Sequence, residues 1–502
     1  MSSPDLRQPA VDLLAWPILG RFLKWRHART SLQLIALAIA AVVILHGLFG
    51  PQIAPANLAT VVTWVHYRGL LVLALLAAGN VFCTGCPFVL VRDAARRGRA
   101  PQRALPVWLR TKWVGIALFG GVLFVYELFD LWSLPRATAW LILGYFGAAL
   151  AIDLVFRGAA FCKYFCPVGQ FNFVASTLSP LEVTARDRDV CGRCRTADCV
   201  AGRRMPEAGV SSASGGHIAA AAAASPRPAR VVQRGCELGL FLPRKVGNLD
   251  CTFCLDCVQA CPHDNVAIAA RLPGAEIVDD RRRSGIGRLA ARADIAALAT
   301  LFVFGALLNA FAMTSPVYDV ERGLAGLLGT SSEAPVLAVI FVLGLIVAPA
   351  VLLAAAAWFT RVVTRDAASV GSIVVRYAMA LVPFGFGMWL AHYAFHFLTG
   401  ALTIVPVTQR AAADLLGAAA LGAPMWHLVG MRPGAVLPIQ LGFLFLGTIG
   451  ALAAAYGISE RDHPDRAAAA TIPWAFVIAL LAATAVWVLW QPMDMRGTGL
   501  AA

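Results

Sequence analysis

About nine stretches of this chain are apolar over lengths that can cross a bilayer, and no other feature limits its architecture as strongly. They run at about 31–49, 67–91, 113–133 and 137–158, then at about 293–315, 334–360, 375–402, 433–456 and 472–490. A hydrocarbon core of about 30 Å takes about 20 apolar residues of helix. Lipid offers no partner to backbone N–H and C=O groups, so segments of this kind are helical. A mean hydropathy of +0.71 and only 14% charged residues exclude an ordinary soluble domain. The expected fold is a polytopic α-helical membrane protein of about nine transmembrane helices in contact with lipid.

The net charge of +14 comes mostly from Arg. In this class it orients the chain rather than binding nucleic acid, and no basic stripe interleaved with aromatics is present. Arg92, Arg96, Arg97, Arg99, Arg103 and Arg110 crowd one connection, while those around 50–66 and 134–136 carry almost none. The first therefore faces the cytoplasm. Alternation puts the N-terminus, residues 159–292 and the 361–374 and 457–471 loops on the same side. Residues 1–30 include an amphipathic basic piece, Trp16 to Arg29, expected on the cytoplasmic surface, with no cleaved signal segment. The layout is a four-helix membrane domain (31–158), a cytoplasmic insert (159–292), a five-helix membrane domain (293–491) and a 492–502 tail. Asp153, deep in the fourth run, is expected to pair with Arg157 one turn later.

The insert ends in Cys251-x2-Cys254-x2-Cys257-x3-Cys261-Pro262. Three thiolates on a tight turn cap three corners of a cubane iron–sulfur cluster, and the fourth cysteine of such a run serves a second cluster. Upstream stand Cys191-x2-Cys194-x4-Cys199 and, far behind, Cys236. The pairing that follows is Cys191, Cys194, Cys199 and Cys261 around one cluster, with Cys251, Cys254, Cys257 and Cys236 around the other. Zinc knuckles are the competing reading. Between Cys199 and Cys236 the stretch Ser211 to Ala224 is low-complexity, part of a linker over about 203–235, and holds His217 as a solvated residue. The insert thus reads as a bacterial-ferredoxin-like domain for two [4Fe-4S] clusters.

The other four cysteines form Cys83-x2-Cys86-Pro87 and Cys162-x3-Cys166-Pro167, each at the cytoplasmic end of a span. Helical spacing puts each pair on one face. A third cluster, dithiols, copper, or buried thiols without chemistry all suit this spacing.

Helices ending in GNVFCTGCP and GAAFCKYFCP, followed by CTFCLDCVQACP, resemble the membrane polyferredoxins of the NapH/NosR/CcoG type. The resemblance covers about residues 60–290. It implies two cubane clusters and membrane electron transfer, carried by Cys83, Cys86, Cys162, Cys166 and the eight insert cysteines. CxxCP stands where CxxxCP is usual, and the five C-terminal spans exceed those of the shorter members.

A further pattern lies in the seventh run, where Met388, His392 and His396 recur every four residues. His46 and His66 stand near the outer ends of the first two spans, and His427 in an outer loop. Ionisable groups inside a membrane mark function by default. Haem b with two axial imidazoles, a quinone exchanging protons, copper held by Met and His, and hydrogen-bonded structural histidines all fit.

The sequence therefore describes a multi-pass protein of the bacterial inner membrane. It passes electrons between cytoplasmic clusters and the quinone pool or an outer-face redox partner, as a carrier or as a quinone-linked oxidoreductase subunit with no acid–base residues of its own. The alternative is a copper reductase or assembly factor for a respiratory metalloenzyme. A transporter is disfavoured, since no internal repeat is visible.

Overall fold

The computed structural model of the chain describes residues 11–96, 101, 103–204, 231–417 and 420–493. The expected linker around Ser211 to Ala224, with His217, falls outside the described residues, as do Arg97 and Arg99. Nine apolar helices carry the described chain: α1 (Ala28–Phe49), α2 (Leu58–Ala78), α3 (Trp113–Leu128), α4 (Pro135–Val155), α5 (Ala293–Phe311), α6 (Glu333–Thr364), α7 (Val370–Gly400), α8 (Pro433–Asp462) and α9 (Pro464–Trp490). Eight are long and apolar enough to cross a membrane; α3 has 16 residues and is shorter than a full crossing requires.

The second apolar run is not one helix. Asn57 starts α2 early, its side chain accepting from the Ala59 N–H. The helix stops at Ala78 because Gly79 adopts φ +82°, and a Cβ there would lie 2.8 Å from the Phe253 ring. The chain then turns back through Val81–Thr84 and Pro87–Arg96. Cys83 and Cys86 consequently sit on this turn and not on the face of a spanning helix. Cys162 likewise lies in a π-turn, Phe161–Phe165, and Cys166 caps the helix Pro167–Ala175. Wide turns of this sort interrupt helices where side chains must be re-aimed.

Helices α5 and α7 form the centre, 83% buried, whereas α1 and α4 are only 22% buried. Helix α7 packs along α8 through facing glycines: a Cβ on Gly387 would meet the Phe443 carbonyl oxygen at 2.7 Å, and one on Gly447 the Pro383 oxygen at 2.6 Å. Small residues let helix backbones approach in a medium that supplies no hydrophobic drive between them. The buried helix Pro167–Ala175 joins this core, with Phe171 between Phe302 of α5 and Trp389 and Tyr393 of α7 at centroid distances of 5.1, 5.3 and 6.5 Å.

Beyond that helix the insert is small and irregular. Strands β1 (Leu181–Ala185) and β4 (Val266–Ala270) pair antiparallel, Leu181 opposite Ala270 and Ala185 opposite Val266; β2 (Arg203–Arg204) pairs with β3 (Val231–Gln233). The N-terminal segment straps this unit. Asp12 bridges to Ala269, Lys24 pairs with Asp264 at 3.1 Å, and Arg29 with Asp256 at 2.7 Å.

Buried charge fastens the insert to the helices. Lys112 Nζ lies 2.6 Å from Asp250 Oδ1 and 2.7 Å from the Lys163 carbonyl oxygen, with both partners buried. Arg92, 1% exposed, reaches Asp153 at 3.2 Å and Glu237 at 2.7 Å. Asp153 therefore pairs with Arg92 and accepts from the Phe161 N–H at 2.8 Å, in place of the expected Arg157, which is exposed. Arg96 donates to the Asp153, Phe156 and Gly158 carbonyl oxygens. Two of the arginines that signal orientation are thus also interior clamps.

Candidate functional site

The twelve cysteines are free thiols and gather into three quartets. Cys191, Cys194, Cys199 and Cys261 line one cavity together with Leu242, His263 and Asn265. Asn265 serves two of them, its Nδ2 lying 3.2 Å from Cys191 Sγ and its backbone N–H 3.4 Å from Cys261 Sγ. Backbone N–H groups of Ala197 and Thr196 bring the Cys194 thiol down to about 7, while burial pushes Cys199 up to about 11. The second quartet gathers around Cys257, which feels Cys236, Cys251 and Cys254, while Cys236 feels Cys251 and Cys254 feels Cys236. Burial raises Cys254 and Cys257 well above the ordinary thiol range, and neighbouring thiols add to it.

Local backbone explains how short loops aim so many sulfurs inward. Ala197 (φ 51°) and Leu255 (φ 59°) are left-handed, and each opens a short helix through Asp198-Cys199 and Asp256-Cys257. Such turns point successive N–H groups into a concavity that accepts an anionic cluster. The two loops are local equivalents, and the shared Asp-Cys-Val is the sequence trace of that equivalence.

The donor set suits cubane clusters. The raised thiols among them, such as Cys199, Cys254 and Cys257, need a cationic partner to ionise, which iron supplies. Among the described residues no three His, Cys, Asp or Glu side chains close around a single point as ligands of one ion do. A cube, taking one sulfur at each corner iron, holds its ligands further apart than tetrahedral zinc does.

The third quartet joins the two membrane pairs. Cys166 feels Cys83 and Cys86, and Cys162 feels Cys86 and Cys166. Gly169 N–H lies 3.2 Å from Cys166 Sγ. The quartet borders the second one: Asn80 Nδ2 donates to the Cys251 carbonyl oxygen at 3.1 Å, Asn172 Nδ2 donates to Asn80 Oδ1 at 3.1 Å, and the same Nδ2 lies 3.5 Å from Cys83 Sγ. First and second quartets touch through the Cys236 N–H and the Cys199 carbonyl oxygen at 2.8 Å. The three sets therefore form one row running from the insert into the helices.

The histidines separate. His46 is fully buried, with Nδ1 accepting from the Leu58 N–H at 3.0 Å and Nε2 3.2 Å from Asp414. His66 faces the Val61 and Ala401 carbonyl oxygens at 3.1 and 3.2 Å. His427 is exposed. Only His392 and His396 come together, at a ring distance of 4.9 Å, and Met388 is buried one turn below on the same helix. His66 meets α7 at Phe397, with ring centroids 5.9 Å apart. Missing from the sequence reading were Asn80, Asn172 and Asn265, the Lys112–Asp250 fastening, and Arg68 beside the paired histidines. Asparagine next to cysteine carries no pattern of its own, and an arginine inside an apolar run was the one available sign.

Fold and site together describe a multi-pass membrane protein whose cysteines gather in three quartets. The methylamine utilization ferredoxin-type protein MauN of Paracoccus denitrificans is 27% identical over 164 residues, covering 29% of this chain and 53% of that protein. Ferredoxin-type protein NapH of Escherichia coli K12 is 28% identical over 215 residues, covering 40% and 65%. The chain thus spans between half and two thirds of these curated relatives. The likeness supports a membrane polyferredoxin-like family. No family model matches the chain, and no solved structure does.

Proposed function

We propose that this is an electron-transfer protein of the inner membrane whose insert, on the cytoplasmic side, holds two [4Fe-4S] clusters. Cys191, Cys194, Cys199 and Cys261 would bind one, and Cys236, Cys251, Cys254 and Cys257 the other. Bound there, the clusters supply one-electron carriers whose potentials depend on hydrogen bonds to sulfur and on burial. The chain's own part is to space them, shield them and extend them into the membrane through Cys83, Cys86, Cys162 and Cys166, with the quinone pool or an outer-face partner at the far end. In this reading α3 is the ninth crossing.

The observation that carries this reading is the hydrogen-bonded link from the Cys251 carbonyl oxygen through Asn80 and Asn172 to Cys83 Sγ. It joins the second insert quartet to the membrane quartet with no loop between them. Iron, sulfide, zinc and copper analysis of anaerobically purified protein tests it. About eight irons with eight sulfides support two cubanes, and about twelve add one at the membrane quartet. Zinc without sulfide refutes the proposal, and copper at the membrane thiols without iron in the insert turns it toward metal handling.

A further inference from the structure

Inside the helices lies a polar site that the cysteine row does not use. Arg68 is 9% exposed, in the middle of α2. Its guanidinium carbon sits 4.4 Å from the Trp64 ring, 4.4 Å from Tyr126 and 5.0 Å from Tyr393. Both phenols act electrostatically on it, and its Nε has no hydrogen-bond partner. The same charge acts on His392 and His396, and both imidazole Nε2 atoms are buried without a hydrogen-bond partner. His392 is 2% exposed. Three buried polar atoms left open around one spot are uncommon in a native interior and point to a missing ligand.

Depth and chemistry restrict that ligand. Arg68 lies ten residues before Ala78, about 15 Å along the helix and near the middle of a 30 Å core, so the ligand is lipid-soluble. Open nitrogens on an arginine and two imidazoles call for carbonyl or hydroxyl oxygens, beside the Trp64, Tyr126 and Tyr393 rings that enclose the guanidinium. Tyr67, the neighbour of Arg68, lies within electrostatic reach of Cys83, Cys86 and Cys166. Phe171, from the helix that Cys166 caps, stacks on Tyr393. Tyr67 and Phe171 thus link the segments that carry Arg68 and Tyr393 to the membrane quartet.

We infer that Arg68, His392 and His396 bind the head group of a quinone. The redox role of this site rests on the electron path proposed above. A bound hydroquinone would give up two electrons, one at a time, to iron–sulfur centres that the cysteine row would hold, and two protons, one to each imidazole Nε2, leaving the quinone. Reduction of a quinone reverses both transfers.

The test uses full-length protein in nanodiscs and an azido derivative of a short-chain ubiquinone. Illumination is expected to label the segments 64–68 and 389–396. Arg68→Gln and His392→Gln are each expected to weaken binding by about tenfold or more, the loss of one or two directed hydrogen bonds. Iron and sulfide content stays at the wild-type level in both. Should Arg68→Gln not fold, Tyr393→Leu, which removes one wall, is expected to weaken binding as well. Label confined to other segments, or affinities within twofold of wild type in these variants, overturns the inference. Label at these segments in protein that lacks iron and sulfide upholds the site while refuting the electron path.

Discussion

Replacing Asp250 by Asn removes one charge where the insert is fastened to the helices and leaves the shape almost unchanged. Lys112 is 1% exposed and has Asp250 at 2.6 Å as its counter-charge. Burial already holds the Lys112 ammonium below the ordinary lysine range, and Asp250 opposes that pull. Without Asp250 the fold either keeps an unpaired ammonium buried, at about 3–5 kcal/mol, or releases the proton. Release at pH 7 from an ordinary lysine value of about 10.4 costs about 4.6 kcal/mol, which sets a ceiling; at pH 9 the ceiling falls to about 1.9 kcal/mol. A lysine whose folded value is depressed destabilises the fold at low pH, and the penalty fades as pH rises toward the unfolded value. Asp250→Asn is therefore expected to lose about 3–4 kcal/mol of local stability at pH 7 and less than about 2 kcal/mol at pH 9. Hydrogen exchange of the amides around Cys251, whose N–H bonds the Asn248 carbonyl oxygen at 2.8 Å, reads this opening directly. The double variant Lys112→Met with Asp250→Asn, which leaves no buried charge and keeps a residue tolerant of the left-handed backbone at 250, recovers most of the loss. Unchanged exchange at pH 7, or an equal penalty at both pH values, refutes the reasoning.

Other perturbations act on single links of the same account. Asn265→Ala removes the side-chain donor to Cys191 and is expected to lower the potential of the first insert centre by tens of millivolts, read by redox titration with EPR. Gly387→Val drives a Cβ into the Phe443 carbonyl of α8 and is expected to cost several kcal/mol, seen as a lower thermal midpoint or loss of folded protein; an unchanged midpoint contradicts the close α7–α8 approach. Arg29→Ala removes the cation facing Asp256 and Cys254 and is expected to free the N-terminal strap, read as faster proteolysis ahead of α1 with the iron of the insert retained.

Long apolar runs and the tight cysteine run were legible because each follows a strict physical count. Membrane thickness sets the length of a helix, and cluster size sets the spacing of thiols. Helix breaks were less legible. The run over 67–91 looks continuous by hydropathy, but the left-handed Gly79 divides it, and only the nearness of Phe253 shows why. Partners distant in sequence left no trace at all: Asp153 has Arg157 one turn away, yet pairs with Arg92 from another segment. The histidines show the same limit. Period-four spacing picked out His392 and His396, whereas His46 and His66 follow no such pattern and are held by Asp414 and by backbone carbonyls. Arg68 could be read as a charge in an apolar run, but its aromatic cage is built from three separate helices.

The central claim is that electrons pass between the insert and quinone through the membrane quartet. The most direct measurement is the rate at which pre-reduced protein in liposomes is oxidised by an added quinone, compared between wild type and Cys83→Ala/Cys166→Ala, with the iron of the insert verified in both. The account predicts that the insert clusters of the variant reduce normally and then reoxidise at least about a hundredfold more slowly, a barrier increase of about 2.7 kcal/mol or more. Reoxidation at the wild-type rate, with the insert clusters intact, would contradict it.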